Sequence, residues 1–216
     1  PMPTLTQSDF VHLHVHSDYS LLDGMARIPK LVKKAGECGQ TALALTDHGT
    51  VSGSMAFYKA CTKAGIKPIL GCEIYQSFGP MSERKRGYNH LTVLAKNQVG
   101  WKNLSRISSL ANLEGFYYKP RVDFETLTKY SEGLVILSGC LKGPVPQLLM
   151  EGKYEEAKAK AAAFKEVFGD DYYLEVQPNS LEQQKVVNDG CYKLTKELGI
   201  KLAATCDLHY IEPGDA

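Results

Sequence analysis

Several things are missing from this sequence, and each absence excludes something. No stretch approaches the roughly 18 consecutive apolar residues of a membrane-spanning helix. The opening "PMPTLTQSDF" has neither the basic start nor the apolar run of a secretory signal. Neither sign of charge is in excess: 25 Lys+Arg stand against 24 Asp+Glu, for a net charge of +1. That balance excludes a grip on nucleic acid through bulk positive charge, but not through a local groove. The six cysteines, Cys38, Cys61, Cys72, Cys140, Cys191 and Cys206, include no C-x-x-C pair. Scattered cysteines read as reduced thiols of a cytoplasmic protein, not as a disulfide framework. There is no G-x-G-x-x-G after the first predicted strand and no G-x-x-x-x-G-K-[ST] anywhere, so dinucleotide and P-loop readings lose their support. No fixed-period repeat and no low-complexity segment interrupts the 216 residues.

What remains is ordinary globular material, 44% hydrophobic and 23% charged, enough for about one domain with its own core. Apolar, β-rich runs predict strands at Phe10–Val15, Thr41–Asp47, Lys67–Tyr75, His90–Lys96, Gly133–Ser138, Tyr172–Gln177 and Ile200–Cys206. Helical patterns fall between them at Ile28–Glu37, Ser54–Lys63, Gly100–Leu113, Tyr154–Phe168 and Leu181–Leu198. In "ECGQ", "KAGIKP" and "ELGIK" a glycine ends a helix just before the next strand. Such alternation predicts an α/β fold on a parallel sheet, doubly wound or closed into a barrel. The stretch Gln76–Asn89 is the longest loop outside the crossovers.

In parallel α/β folds, chemistry gathers at the C-terminal ends of the strands. Four of the six histidines lie at predicted strand exits, and a fifth, His12, lies inside the first strand. The exits carry His14, His16 and Asp23; Asp47 and His48; Glu73; Cys140; and Asp207 and His209. Imidazole, carboxylate and thiolate on one rim form a metal-ligand inventory. Residues i and i+2 of a strand share a face, so His14 and His16 can share a cation, as can Asp207 and His209. His12 has the same parity but lies deeper, as a core or supporting histidine. Singly, Asp23 or Asp47 reads as a helix N-cap and Cys140 as a buried thiol. Together they do not, because burying so many polar groups without a cation is costly.

The segments "HVHSDYSLLDG", "ALTDHG", "GIKPILGCEIY", "HLTVLAKNQVGWKNL", "GLVILSGC" and "CDLHY" resemble the PHP (polymerase and histidinol phosphatase) domain that opens bacterial replicative DNA polymerase III alpha subunits. The resemblance runs in order along nearly the whole chain. It implies a distorted (βα)7 TIM-like barrel with a metal cluster at the C-terminal strand ends. It implies up to three divalent ions, zinc or manganese with magnesium as a further candidate. Their ligands would be His14, His16, Asp23, His48, Glu73, His90, Cys140, Asp207 and His209. The grouping implied is His14, His16, Asp207 and Glu73; Glu73, His90 and Cys140; and Asp23, His48 and His209. His90 opens its predicted strand instead of closing it, so its place rests on the resemblance alone.

The reading that follows is a metal-dependent 3′–5′ exonuclease or phosphoesterase. It would proofread DNA primer 3′ ends, with Asp23, His48 and Asp207 essential for catalysis and Asp47 supporting His48. Arg121 is a candidate phosphate contact or a structural salt bridge. Arg84, Lys85 and Arg86 read as a solvated loop, with nucleic acid as the other reading. Two alternatives remain open: a scaffold that stabilises the polymerase and docks a separate proofreading exonuclease, and a small-molecule phosphatase resembling histidinol phosphatase. Residues 1–216 are expected to be one PHP domain, the N-terminal piece of a longer polymerase whose nucleotidyl-transfer carboxylates lie beyond Ala216. No closing helix follows "DLHYIEPGDA", so the last crossover is expected beyond it too.

Overall fold

Helix boundaries follow local chemistry. The computed structural model describes residues 6, 9–21 and 23–215. Helix α1 (Ile28–Glu37) starts with proline in its first turn, where the missing N–H costs nothing, and buries Ile28, Leu31, Val32 and Ala35 along one stripe. After α2 (Ser54–Ala64) and α7 (Glu182–Leu198) the chain turns through Gly65 and Gly199, both left-handed at φ 70° and 62°. Helix α3 (Gln98–Leu113) is capped by the Asn97 side chain, and α4 (Phe124–Lys129) by Asp123, which accepts from Thr126 N. Helices α5 (Pro144–Met150) and α6 (Tyr154–Phe168) complete the set.

The strands are β1 (Ala42–Leu45), β2 (Lys67–Ser77), β3 (Tyr88–Ala95), β4 (Phe116–Tyr117), β5 (Lys119–Val122), β6 (Leu134–Leu137), β7 (Tyr172–Val176) and β8 (Lys201–Ala204). They form one curled sheet in the order β4-β5-β2-β3-β6-β7-β8, with β1 also paired to β2. The larger hydrophobic core lies between this sheet and α3, α5, α6 and α7. A smaller one joins α1, α2 and β1 through Val32, Leu43, Leu45, Phe57 and Cys61.

The expected all-parallel sheet is corrected at β3. Strand β3 runs antiparallel to both of its neighbours, β2 and β6. A parallel crossover needs a dozen or more residues, and the connection from β2 to β3 spans only residues 78–87 without a helix. The expected first strand, Phe10–Val15, is also corrected. It is extended chain lying between β1 and the segment that follows β8. Ala44 N donates to His12 O, Thr46 N to Val15 O, and Leu208 N to His14 O, while Val15 and Leu208 form a single parallel bridge. The Thr46 hydroxyl accepts from Val15 N, so a side chain interrupts the ladder there. Short strands β4 and β5 and helices α4 and α5 were not anticipated. Among the described residues, no helix is long and apolar enough to cross a membrane.

Candidate metal centre

The antiparallel course of β3 solves the placement of His90. Its N-terminal end stands beside the C-terminal end of β2, with His90 opposite Tyr75 and Thr92 opposite Glu73. A residue that opens an antiparallel strand shares the rim with residues that close the parallel ones. His90 thereby reaches the side of the sheet that carries His14, His16, His48, Glu73, Cys140, Asp207 and His209.

Glu73 is the hub. It is buried in β2, and its Oε1 lies 2.9 Å from His90 Nδ1 and 3.4 Å from His14 Nε2. Its Oε2 lies 2.5 Å from His48 Nδ1 and 3.5 Å from His16 Nε2. Asp207 Oδ1 stands 3.3 Å from His14 Nε2 and 3.2 Å from His16 Nε2. The Cys140 thiol lies 3.7 Å from Glu73 Oε1 and 4.0 Å from His90 Nδ1. On the open side, Asp23 Oδ2 is 2.9 Å from His48 Nε2 and 3.8 Å from His209 Nε2. All nine residues expected as ligands therefore lie in one connected cluster, and each expected trio or quartet is in mutual reach.

The donor set suits cations better than internal hydrogen bonding. Twelve buried side-chain polar atoms lack an aligned hydrogen-bond partner among the described residues. Six belong here: His14 Nε2, His16 Nε2, His48 Nδ1, His90 Nε2, Glu73 Oε2 and Asp207 Oδ1. The four separations of 3.2–3.5 Å linking His14, His16, Glu73 and Asp207 match tetrahedral ligands. Metal–ligand bonds of about 2.1 Å place such ligands roughly 3.4 Å apart. Close groupings of candidate ligand atoms include His14, His16 and Glu73; His48, Glu73 and His90; and His16, His48 and His209.

Supporting groups orient three of the imidazoles. His14 Nδ1 donates to Glu175 Oε1 at 2.7 Å, and Glu175 also accepts from Thr205 and Thr92. His16 Nδ1 donates to Ser20 Oγ at 3.0 Å, and the Ser20 hydroxyl donates to Asp47 Oδ1 at 2.7 Å. His209 Nδ1 donates to the Asp207 carbonyl at 2.9 Å. With Nδ1 so engaged, each Nε2 is left as a lone pair for a metal. Asp207 itself adopts a left-handed φ of 49°, a strained backbone that holds its carboxylate at the cluster.

Electrostatics follow from this crowding. Burial opposes charge on His14, yet the Glu175 and Asp207 carboxylates hold its pKa well above the imidazole norm. Burial would raise Glu73, but His14, His48 and His90 hold it well below the carboxylate range. For Asp207 the same contest, won by His14 and His16, ends in a lowered pKa. Burial depresses His16. The Cys140 thiol is pushed up by burial and by the nearby Glu73 and Asp207 charges.

Arg121 is corrected as a phosphate contact. It is buried, and its guanidinium donates to the carbonyls of Gly115, Lys85, Met81 and Glu83. It pins the β2–β3 loop and does not line the cleft in front of the cluster. The residues the sequence reading missed are Glu175 and Ser20, together with Tyr75, Lys119 and Lys142, which line the cleft in front of the cluster. A carboxylate inside the apolar run "YYLEV" was a signal for the first. Nothing in the sequence marked the others.

A curled α/β sheet with histidines and carboxylates massed on one rim defines a class of α/β domain with a candidate metal centre. The PHP domain family profile matches residues 12–179, and the chain belongs to that family. Within it, the chain is 46% identical over 215 residues to DNA polymerase III subunit alpha of Borreliella burgdorferi, covering 97% of this chain and 19% of that protein. It is 47% identical over 218 residues to the same subunit of Treponema pallidum, covering 98% and 19%. The chain thus spans about a fifth of the length of these relatives. Among solved structures it is similar to an amidohydrolase from Chromobacterium violaceum with bound sulfate, at TM-score 0.59 and 16% identity, covering 95% of this chain and 88% of that one. It is also similar to a protein described as a metal-dependent phosphoesterase from Bifidobacterium adolescentis, at TM-score 0.58 and 14% identity, covering 94% and 89%. At these identities the two structures speak to the fold alone.

Proposed function

We propose that this domain is a metal-dependent phosphoesterase acting as a 3′–5′ exonuclease on DNA primer ends, as part of a DNA polymerase III alpha subunit in the cytoplasm. In this reading the extended segment at Val15 and Leu208 closes the curled sheet as a distorted (βα)7 barrel. Three divalent ions would be held at its rim, zinc or manganese in preference to magnesium. His14, His16, Asp207 and Glu73 would hold one; Glu73, His90 and Cys140 another; Asp23, His48 and His209 the third. The observation that carries the proposal is the set of six buried, unpartnered donor atoms on residues that already touch one another.

Bound ions would supply acidification of water, orientation of the phosphate and compensation of charge on its oxygens. The chain's own residues do the rest. Glu175, Ser20 and the Asp207 carbonyl fix the imidazole tautomers, and Asp47 holds Ser20 in place. Asp23, half exposed, stands at the mouth of the cleft beside His48 and His209.

Supplied with Mn²⁺ or Zn²⁺, the chain is expected to shorten a 3′-recessed primer, and Asp23→Asn or Asp207→Asn to abolish this. A wild-type chain that binds metal by elemental analysis and leaves the primer intact overturns the proposal. Release of phosphate from histidinol phosphate would then favour a small-molecule phosphatase.

A further inference from the structure

The cleft over the cluster, about 400 Å³ in volume, is lined by Lys119 and Lys142 as well as by Asp23, Glu73 and Asp207. The three carboxylates are engaged by histidines. Among the described residues, neither lysine has a carboxylate within 4.0 Å, whereas Lys34, Lys85, Lys96 and Lys158 each have one. The two lysines reach the cleft from different elements. Lys119, at the start of β5, holds its ammonium 5.3 Å from the centre of the Tyr75 ring, and Tyr75 packs edge-on against His90. Lys142 follows β6, and its carbonyl accepts from His90 N at 2.9 Å and from Asn89 Nδ2 at 3.2 Å.

A third cation continues outward from Lys119. The preceding residue, Tyr118, forms the tip of the β4–β5 hairpin, with a left-handed φ of 61° and a largely exposed ring. Arg86 donates to its hydroxyl at 2.9 Å and lays its guanidinium 4.7 Å from the ring centre. Arg86 cannot swing freely with its loop, because the buried Arg121 guanidinium holds the carbonyls of Met81, Glu83 and Lys85. Unpaired cations with an exposed aromatic ring, set on fixed backbone, are the elements of a single-strand binding surface.

We propose that Lys119, Lys142 and the Arg86–Tyr118 pair form a phosphate track into the metal cleft. It selects a single-stranded phosphodiester chain over a small phosphate monoester. This rests on the phosphoesterase reading and names the substrate class of that site. A monoester presents one anionic group, whereas a strand presents phosphates in series that the cluster alone cannot engage.

The test separates binding from turnover. Fluorescence anisotropy of a labelled single-stranded oligodeoxyribonucleotide is measured on the chelated 216-residue chain across a salt series. Each cation in contact with a phosphate contributes about 0.7 to the slope of log affinity against log salt. Lys119→Gln with Lys142→Gln is expected to reduce the slope by about 1.4, Arg86→Gln by about 0.7, and the three Arg or Lys counterparts to restore it. p-Nitrophenyl phosphate, a small monoester, is expected not to displace the oligonucleotide from the chelated wild-type chain. An unchanged slope in the double variant, or no binding by wild type at 50 mM salt, overturns the track. Loss of slope in the variants of a metal-holding chain that cleaves no phosphodiester would instead leave the track standing and refute the catalytic reading.

Discussion

His14 Nδ1 lies 2.7 Å from Glu175 Oε1, with both side chains fully out of solvent. This contact decides which edge of the imidazole is available to a cation. It turns Nε2 toward Glu73 and Asp207 and fixes the tautomer that leaves Nε2 unprotonated once a metal competes for it.

Replacing Glu175 by Gln keeps the size and a hydrogen-bond acceptor but removes the charge. Isothermal titration is expected to show metal affinity weaker by about 10–100-fold, with the fold retained by circular dichroism. Unchanged affinity would mean that Glu175 only fills space.

Metal uptake should strengthen as pH rises. In the metal-free site, burial disfavours the His14 charge but the Glu175 and Asp207 carboxylates win and keep it protonated. Cys140 is held as thiol by burial and by nearby negative charge. Both must lose a proton to bind an ion, so affinity is expected to rise about tenfold per pH unit for each proton released. Competition with a chromophoric chelator between pH 6 and 8 reads this directly, and a flat profile would count against these ligands.

Chelation should cost more stability at high pH than at low. A raised His14 pKa in the folded state contributes stability that is full below the ordinary imidazole value. That stability disappears as pH rises through the raised value. The metal-loaded site has no such proton to lose. At metal concentrations about 100-fold above Kd each bound ion adds about 2.7 kcal/mol. The gap in Tm between loaded and EDTA-treated chain is therefore expected to widen above pH 7.

Arg121→Lys tests the corrected role of that residue. A lysine cannot reproduce the planar fork that serves four carbonyls, so buried acceptors go unpaired. Urea unfolding is expected to show a loss of about 2–3 kcal/mol. A phosphate contact would instead show weaker oligonucleotide binding at unchanged stability.

Much of the fold could be read from local pattern. Residues Ile28–Glu37 and Tyr154–Phe168 are helical over the predicted spans, because amphipathic spacing and stop residues act within a few positions. The direction of β3 could not be read that way. An apolar run says that a strand exists, whereas its orientation depends on the length of its connection and on partners far away in sequence. The cue was present in the long stretch Gln76–Asn89, which has no helical pattern. For the same reason the rim argument placed His14, His48 and Glu73 but could not place His90. Glu175 escaped because it lies within its strand, behind the histidine it orients. Lys119 and Lys142 look like any surface lysine until their lack of partners is visible in three dimensions.

The bridge between Val15 and Leu208 has a consequence for how the protein is made. His14 and His16 are made well before Asp207 and His209, and the Val15–Leu208 bridge brings the two segments together. At about 5–20 residues per second, the two ends are separated by roughly 10–40 s of synthesis. Throughout that interval the first histidines have no partners from the far end and stand open to any passing ion. A site that needs both segments can therefore be completed only after Asp207 and His209 have been made.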